Sequence, residues 1–100
     1  MSDRERDLAR VSALRNAREA AVAEAASGQL AMLLGLPADD DRTETYVVKL
    51  LDVTPGVGKV AGRRMLASLG IAESVRVSEL SGQDRSRVLA GAVELAKASR

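Results

Sequence analysis

The chain has 100 residues, and its 15 Lys and Arg against 14 Asp and Glu give a formal net charge of +1. It contains no cysteine and no histidine, which excludes disulfide and thiol chemistry and the usual zinc sites. No apolar run approaches the length of a membrane-spanning helix and the N-terminus is charged, so we expect one cytoplasmic domain over residues 1–100 without membrane contact.

The first predicted element is a long helix that ends near Ala26. Ser2 and Glu5 have the spacing of a capping box, and Leu8, Val11 and Val22 lie near one helical stripe. The helix also carries five arginines, which suit either a contact along DNA or a solvated face interspersed with acids: Arg4, Arg6, Arg10, Arg15 and Arg18. Both interpretations remain open at this point.

A short second helix is predicted over residues 29–34, because Ser27 and Gly28 interrupt the first one. Its three leucines should cover the core, and residues 1–36 together form an N-terminal helical arm. The acidic residues 39–41 that follow lack further ligands at calcium-loop spacing. We therefore expect no metal there and a solvated loop away from any DNA-binding surface.

The third predicted helix spans residues 44–53, capped by Asp41 or Thr43, with Val47, Leu50 and Leu51 facing inward. Tyr46 is the only aromatic residue of the chain. Packing in the core or at its rim is the favoured role of this ring, and base stacking is the alternative.

A glycine-rich hairpin over residues 54–58 organises the rest of the chain. Pro55 ends the preceding helix, and Gly56 and Gly58 allow a tight turn with positive φ before the next helix, which Gly70 ends. Main-chain N–H groups at a helix N-terminus beside Lys59 make an anion site, and phosphate is its commonest ligand.

Three known motifs share parts of this spacing. Val60 replaces the Ser or Thr of a Walker A loop, and no strand precedes the glycines as a dinucleotide fold requires. The remaining functional interpretation is a helix–hairpin–helix that holds a nucleic-acid backbone. A plain corner between two helices is the alternative.

Residues 70–80 are predicted to form a turn-rich link with Ile71, Val77 and Leu80 buried. Ser81 and Asp84 then begin a last helix that runs to about Ala98. Its inward residues are predicted to be Val88, Leu89, Ala92, Val93, Leu95 and Ala96, and its outward ones Arg85, Arg87, Glu94 and Lys97. No strand is required, so we predict an all-α fold whose core spans residues 43–98.

The residues that carry a family resemblance are Val47-Val48-Lys49-Leu50-Leu51, then 55–60, then Leu69-Gly70-Ile71. They resemble the actinobacterial integration host factor, a small nucleoid-associated protein with a helix–two-turns–helix core. That core is also similar to those of a ribosomal small-subunit protein and of formamidopyrimidine-type DNA glycosylases. Tyr46, Ser78 and Glu79 depart from the Lys, Arg and Gly that the family leads us to expect.

The resemblance implies a non-enzymatic protein that grips the phosphate backbone of double-stranded DNA with weak sequence preference. The expected DNA-binding residues are Gly56, Val57, Gly58, Lys59, Arg63, Arg64 and Arg76, and after residue 52 eight basic residues face four acidic ones. The resemblance also implies contact with the minor groove, DNA bending, a monomeric state, a nucleoid location and a site-specific recombinase as partner.

We expect no catalytic residue, cofactor or metal, because the chain has no His, no Cys and no nucleophile with a base beside it. Two alternatives stay open. One is a helical protein-interaction module that lost basic residues, and the other is an RNA-binding protein.

Overall fold

The computed structural model describes residues 2–99, so Met1 and Arg100 of the predicted 1–100 domain lie outside the described residues. Five α-helices follow one another in this range: α1 (Asp3–Ala26), α2 (Leu30–Leu34), α3 (Val47–Val53), α4 (Gly58–Leu69) and α5 (Gly82–Ala98). Two 3-10 helices, Asp41–Glu44 and Val77–Glu79, precede α3 and α5. Over the same residues no strand forms, only an isolated bridge between Tyr46 and Arg76, and the predicted all-α fold with a long first helix is confirmed.

Helix α1 begins as predicted, because the Ser2 hydroxyl accepts a hydrogen bond from the Glu5 amide at 3.2 Å. Its buried residues, Ala21 and Ala25, both lie in its second half. Leu8 in the first half is 61% exposed, so the predicted apolar stripe is buried over only part of its length. The long helix accounts for a molecule measuring 52 by 24 by 20 Å.

Of the acidic residues 39–41, Asp39 is exposed as the sequence indicates, but Asp40 and Asp41 are half-buried and form ion pairs. Asp41 Oδ1 accepts a hydrogen bond from Arg10 Nη1 at 2.8 Å, and Asp40 accepts one from Arg42 Nη2 at 2.8 Å. Arg42 also lies 2.9 Å from Glu24 of α1. The segment is therefore held against α1 by ion pairs between residues far apart in the sequence, which no local pattern shows.

The third helix begins three residues later than predicted. Thr43 is buried and its hydroxyl donates to the Asp40 carbonyl at 2.7 Å, so the chain turns there as a 3-10 helix. Asp40 is the residue that caps this turn, through its contact with the Arg42 amide at 3.0 Å. Helix α3 then starts at Val47 and has no side-chain cap.

The core is formed by one face of each α-helix and by apolar residues of the link before α5. The buried apolar residues are Ala21, Ala25, Leu30, Leu33, Leu34, Val47, Val48, Leu50, Leu51, Leu66, Ile71, Val77, Leu80, Val88 and Ala92. Most of them are those that the helical periodicity selects. The backbones of α3 and α4 approach closely at Gly62, where an added Cβ would lie 3.0 Å from Leu51 Cβ.

Helix α5 starts at the predicted cap, since the Ser81 hydroxyl accepts a hydrogen bond from the Asp84 amide at 3.0 Å. Two of its predicted orientations are wrong. Val93 is 43% exposed, and Arg85 does not project outward but donates to the main-chain carbonyls of Leu34 and Val77. No helix within residues 2–99 is long and apolar enough to cross a membrane.

Candidate nucleic-acid interface

The hairpin between α3 and α4 has the geometry that its glycines predict. Gly56 and Gly58 adopt φ of 82° and 80°, which residues with a Cβ rarely adopt. Thr54 closes the end of α3 by donating from its hydroxyl to the Leu50 carbonyl at 2.6 Å, and its own carbonyl accepts from the Val57 amide at 3.1 Å. The turn is thus fixed by its own hydrogen bonds.

One side of the hairpin rests on α5. A Cβ placed on Gly56 would lie 2.8 Å from Ala96 Cα and 3.0 Å from the Ser99 hydroxyl oxygen, so the two backbones touch. Nothing lies within 4 Å of such an atom on Gly58. The first glycine is therefore required by both conformation and space, and the second by conformation alone.

The main-chain amides of Gly56 and Gly58 in the hairpin, and those of Lys59 and Val60 in the first turn of α4, have no acceptor within the described residues. Helix α4 has twelve residues, and Val57 at its N-cap offers no side chain to these groups. Unpaired N–H groups and the positive end of the helix dipole favour an anion at this position.

Lys59 and Arg64 add positive charge to the first two turns of α4. Both are exposed, and neither forms an ion pair with any residue from 2 to 99. Lys59 and Arg64 both border an open groove of 1060 Å³ between α4 and α5. Val60, between them in sequence, is 64% exposed. The first turns of α4 therefore present cations beside one exposed apolar side chain.

Arg63 is also on α4, but acidic side chains hold it. Its Nη1 donates to Glu73 Oε1 at 3.0 Å, and its Nη2 donates to Asp52 Oδ2 at 3.3 Å. The hydrogen bond to Glu73 is the main reason that the pKa of Arg63 is raised, and the Asp52 charge adds to it. Its charge is thus compensated in the free protein.

Arg76 lies near the opposite end of α3 from the hairpin, about 10 Å along a helix of seven residues. The segment around it pairs with the start of α3, since the Val47 amide donates to the Val75 carbonyl at 3.0 Å. Its guanidinium lies 5.2 Å from the centre of the Tyr46 ring, and its Nε is 3.9 Å from a Glu44 oxygen. Tyr46 is therefore a rim residue that supports Arg76.

Lys49 lies on the same surface, although it is not among the binding residues predicted from the sequence. Tyr46, Lys49 and Val53 are spaced to share one face of α3, and all three are exposed. No ion pair involves Lys49 in the described part of the chain. The signal was present, because four buried apolar residues at 47, 48, 50 and 51 leave position 49 outward.

The predicted site residues fall into two groups. The residues from Gly56 to Arg64 form one surface at the hairpin and the first turns of α4, whereas Arg76 joins them only through the exposed face of α3. Backbone N–H groups beside cations are typical of a surface that binds phosphates.

Comparison with known families gives a match to the S13-like H2TH domain over residues 26–91. This range includes α2, α3, the hairpin, α4 and the first part of α5. No match was found among curated proteins or among solved structures. The match covers well over half of the chain and includes the whole candidate interface. The chain therefore belongs to the S13-like H2TH family, the helix–two-turns–helix domains that bind nucleic acid.

Proposed function

We propose that this chain is a non-enzymatic protein that binds double-stranded DNA through the phosphate backbone. The observation that carries the proposal is the hairpin, where the amides of Gly56, Gly58 and Lys59 lack acceptors within the described residues, next to the unpaired Lys59 side chain. One backbone phosphate fits this position. Lys49 and Arg64, together with the partly compensated Arg63 and Arg76, then contact neighbouring phosphates.

Backbone contacts of this kind carry little sequence information, so weak sequence preference follows. The exposed Val60 lies beside Lys59 and is of the type that architectural proteins place against the minor groove when they bend DNA. We infer a monomer of integration host factor type that acts on DNA shape in the cytoplasmic nucleoid, with a site-specific recombinase as its protein partner. The resemblance over residues 47–80 supports this finer assignment.

A salt titration tests the proposal. The affinity for a short duplex is measured by fluorescence anisotropy at several salt concentrations. Four or five neutralised phosphates predict a slope of roughly −4 in log K against log salt concentration. A flat response would contradict the phosphate-backbone mode.

A pair of charge reversals locates the contact. Lys59→Glu should weaken binding to all duplex sequences alike by about tenfold or more, because it places a carboxylate beside the phosphate. Arg15→Glu is the matched control, since it makes the same charge change on an exposed part of α1. Equal losses in both variants would show that the hairpin is not the specific site of contact.

The alternatives are decided in the same assay. If a structured RNA competes for the protein more strongly than duplex DNA does, the ligand is RNA. No rise in anisotropy at micromolar protein and low salt would favour a helical protein-interaction module.

A further inference from the structure

Arg63 is the one predicted phosphate ligand whose guanidinium is bound by two carboxylates from different parts of the chain. Asp52 comes from the end of α3, and Glu73 comes from the link that follows α4. The two acids differ in their surroundings. The Asp52 side chain is 9% exposed, whereas that of Glu73 is 55% exposed.

The buried acid acts as the fixed support of Arg63. Asp52 Oδ2 accepts from Arg63 Nη2, and the other carboxylate oxygen of Asp52 has no hydrogen-bond partner in the described residues. Leaving a buried carboxylate without its cation is costly, so we expect Arg63 to stay beside Asp52 whatever else it binds.

The exposed acid is the replaceable partner. Arg63 is the only hydrogen-bond partner that Glu73 has among the described side chains, at 3.0 Å. Exposed ion pairs contribute little free energy because both ions are well solvated. A phosphate oxygen takes the same position on a guanidinium as a carboxylate oxygen, with planar, directed hydrogen bonds.

Arg63 is also placed to reach the proposed DNA surface. It follows Lys59 by four residues, so the two side chains are neighbours on one side of α4. Asp52, which Arg63 contacts, follows Lys49 by three residues, so the two are neighbours on α3. By this spacing Arg63 is near Lys59 on α4 and near the face of α3 that carries Lys49, two cations that have no ion pair within residues 2–99.

We propose that Glu73 occupies the phosphate position of Arg63 in the free protein, and that a backbone phosphate displaces it when DNA binds. Asp52 holds the guanidinium in place during the exchange. This inference rests on the proposed binding of duplex DNA and adds a competitor to it. Glu73 thus lowers the affinity of the chain for DNA and sets how readily the complex dissociates.

The test compares Glu73→Gln with Glu19→Gln in the anisotropy assay. Both variants remove one exposed carboxylate, but Glu19 is on α1 and contacts no cation that the structure describes. We expect Glu73→Gln to tighten duplex binding by about threefold more than the control, which is the range of an exposed ion pair. Thermal unfolding of each variant verifies that both remain folded.

A double variant separates exchange at Arg63 from a general change in charge. Glu73→Gln should give no gain beyond the control in the Arg63→Ala background, because the competitor then has nothing to compete for. Thermal unfolding verifies that Arg63→Ala, which leaves Asp52 without its cation, is folded at the assay temperature. An equal gain with and without Arg63, or equal affinities of Glu73→Gln and Glu19→Gln, would overturn the inference while DNA binding itself stands. Failure of the wild-type chain to bind duplex DNA would overturn the proposed function and this inference with it.

Discussion

Arg85 of α5 and Leu36 are 49 residues apart in sequence, and the Arg85 guanidinium donates from Nη1 to the Leu36 carbonyl at 2.5 Å. The same Nη1 donates to the Leu34 carbonyl at 3.1 Å, and Nη2 donates to the Val77 carbonyl at 3.2 Å. One side chain therefore satisfies the carbonyls at the end of α2 and of the segment before α5. This arginine is structural.

Arg85→Ala should lower the free energy of unfolding by about 2 to 3 kcal/mol, because hydrogen bonds from a charged donor are lost and partly buried carbonyls are left unpaired. Urea unfolding followed by circular dichroism measures the change. Arg15→Ala, an exposed arginine without an ion pair in residues 2–99, should change stability by less than about 0.5 kcal/mol. A near-zero effect of Arg85→Ala would show that these carbonyls are satisfied by water.

The three glycines Gly56, Gly58 and Gly82 form a graded series. Replacement by Ala should cost about 1 to 2 kcal/mol at Gly58, where φ is 80° but space is free. At Gly56 it should cost about 1 to 3 kcal/mol more, because the new Cβ would press on Ala96. Gly82 has no positive φ and no near neighbour, so its replacement should be close to neutral. Equal costs at Gly56 and Gly58 would exclude the contact with α5.

The helices and the hairpin could be predicted because their signals are local. The caps at Ser2 and Ser81, the buried Val47 and Leu50 and the positive φ of Gly56 all follow from residue type and spacing over a few positions. Each of these features is decided by neighbours in the sequence.

The partners of the arginines could not be predicted, because they come from distant parts of the chain. The sequence pattern predicts Arg63 and Arg85 as outward cations on amphipathic helices, yet the first is bound by Glu73 and the second by main-chain carbonyls. Whether a basic residue is available to DNA thus depends on tertiary contacts. The roles of the seven predicted binding residues stay predictions.

Asp40 makes part of the stability depend on pH. Its hydrogen bonds from the Arg42 side chain and amide lower its pKa from 3.8 to about 2. A carboxylate whose pKa is lowered by folding stabilises the folded state above its unfolded pKa, and the contribution is lost as pH falls from 3.8 towards about 2. The difference in melting temperature between wild type and Asp40→Asn should therefore be constant near neutral pH and shrink over that acidic interval.

Thermal unfolding at a series of pH values measures this difference, and Asn at position 40 retains the ability to cap the 3-10 turn. Asp39→Asn controls for loss of one charge, since Asp39 is exposed and has no ion pair among the described residues. A difference for Asp40→Asn that persists unchanged at the acid end would mean that the lost interaction does not depend on the charge of the carboxylate.

Lys49 and Arg76 should differ in their effect on DNA binding although they lie on one face of the molecule. Lys49 has no ion pair in the described range, so Lys49→Ala should weaken duplex binding and reduce the magnitude of the salt slope by about one. Arg76 already lies over Tyr46 and near Glu44, so part of its charge is compensated before DNA arrives.

Arg76→Ala should therefore reduce the magnitude of the slope by less than Lys49→Ala does, in the same anisotropy titration. Arg18→Ala on α1 serves as the control for loss of an exposed arginine without an ion pair in the described chain. A larger effect at Arg76 than at Lys49 would place the centre of the DNA contact at the Tyr46 end of α3, away from the glycine hairpin. A larger effect at Arg18 than at either would place it along the first helix, because only direct phosphate contacts change the number of released counterions.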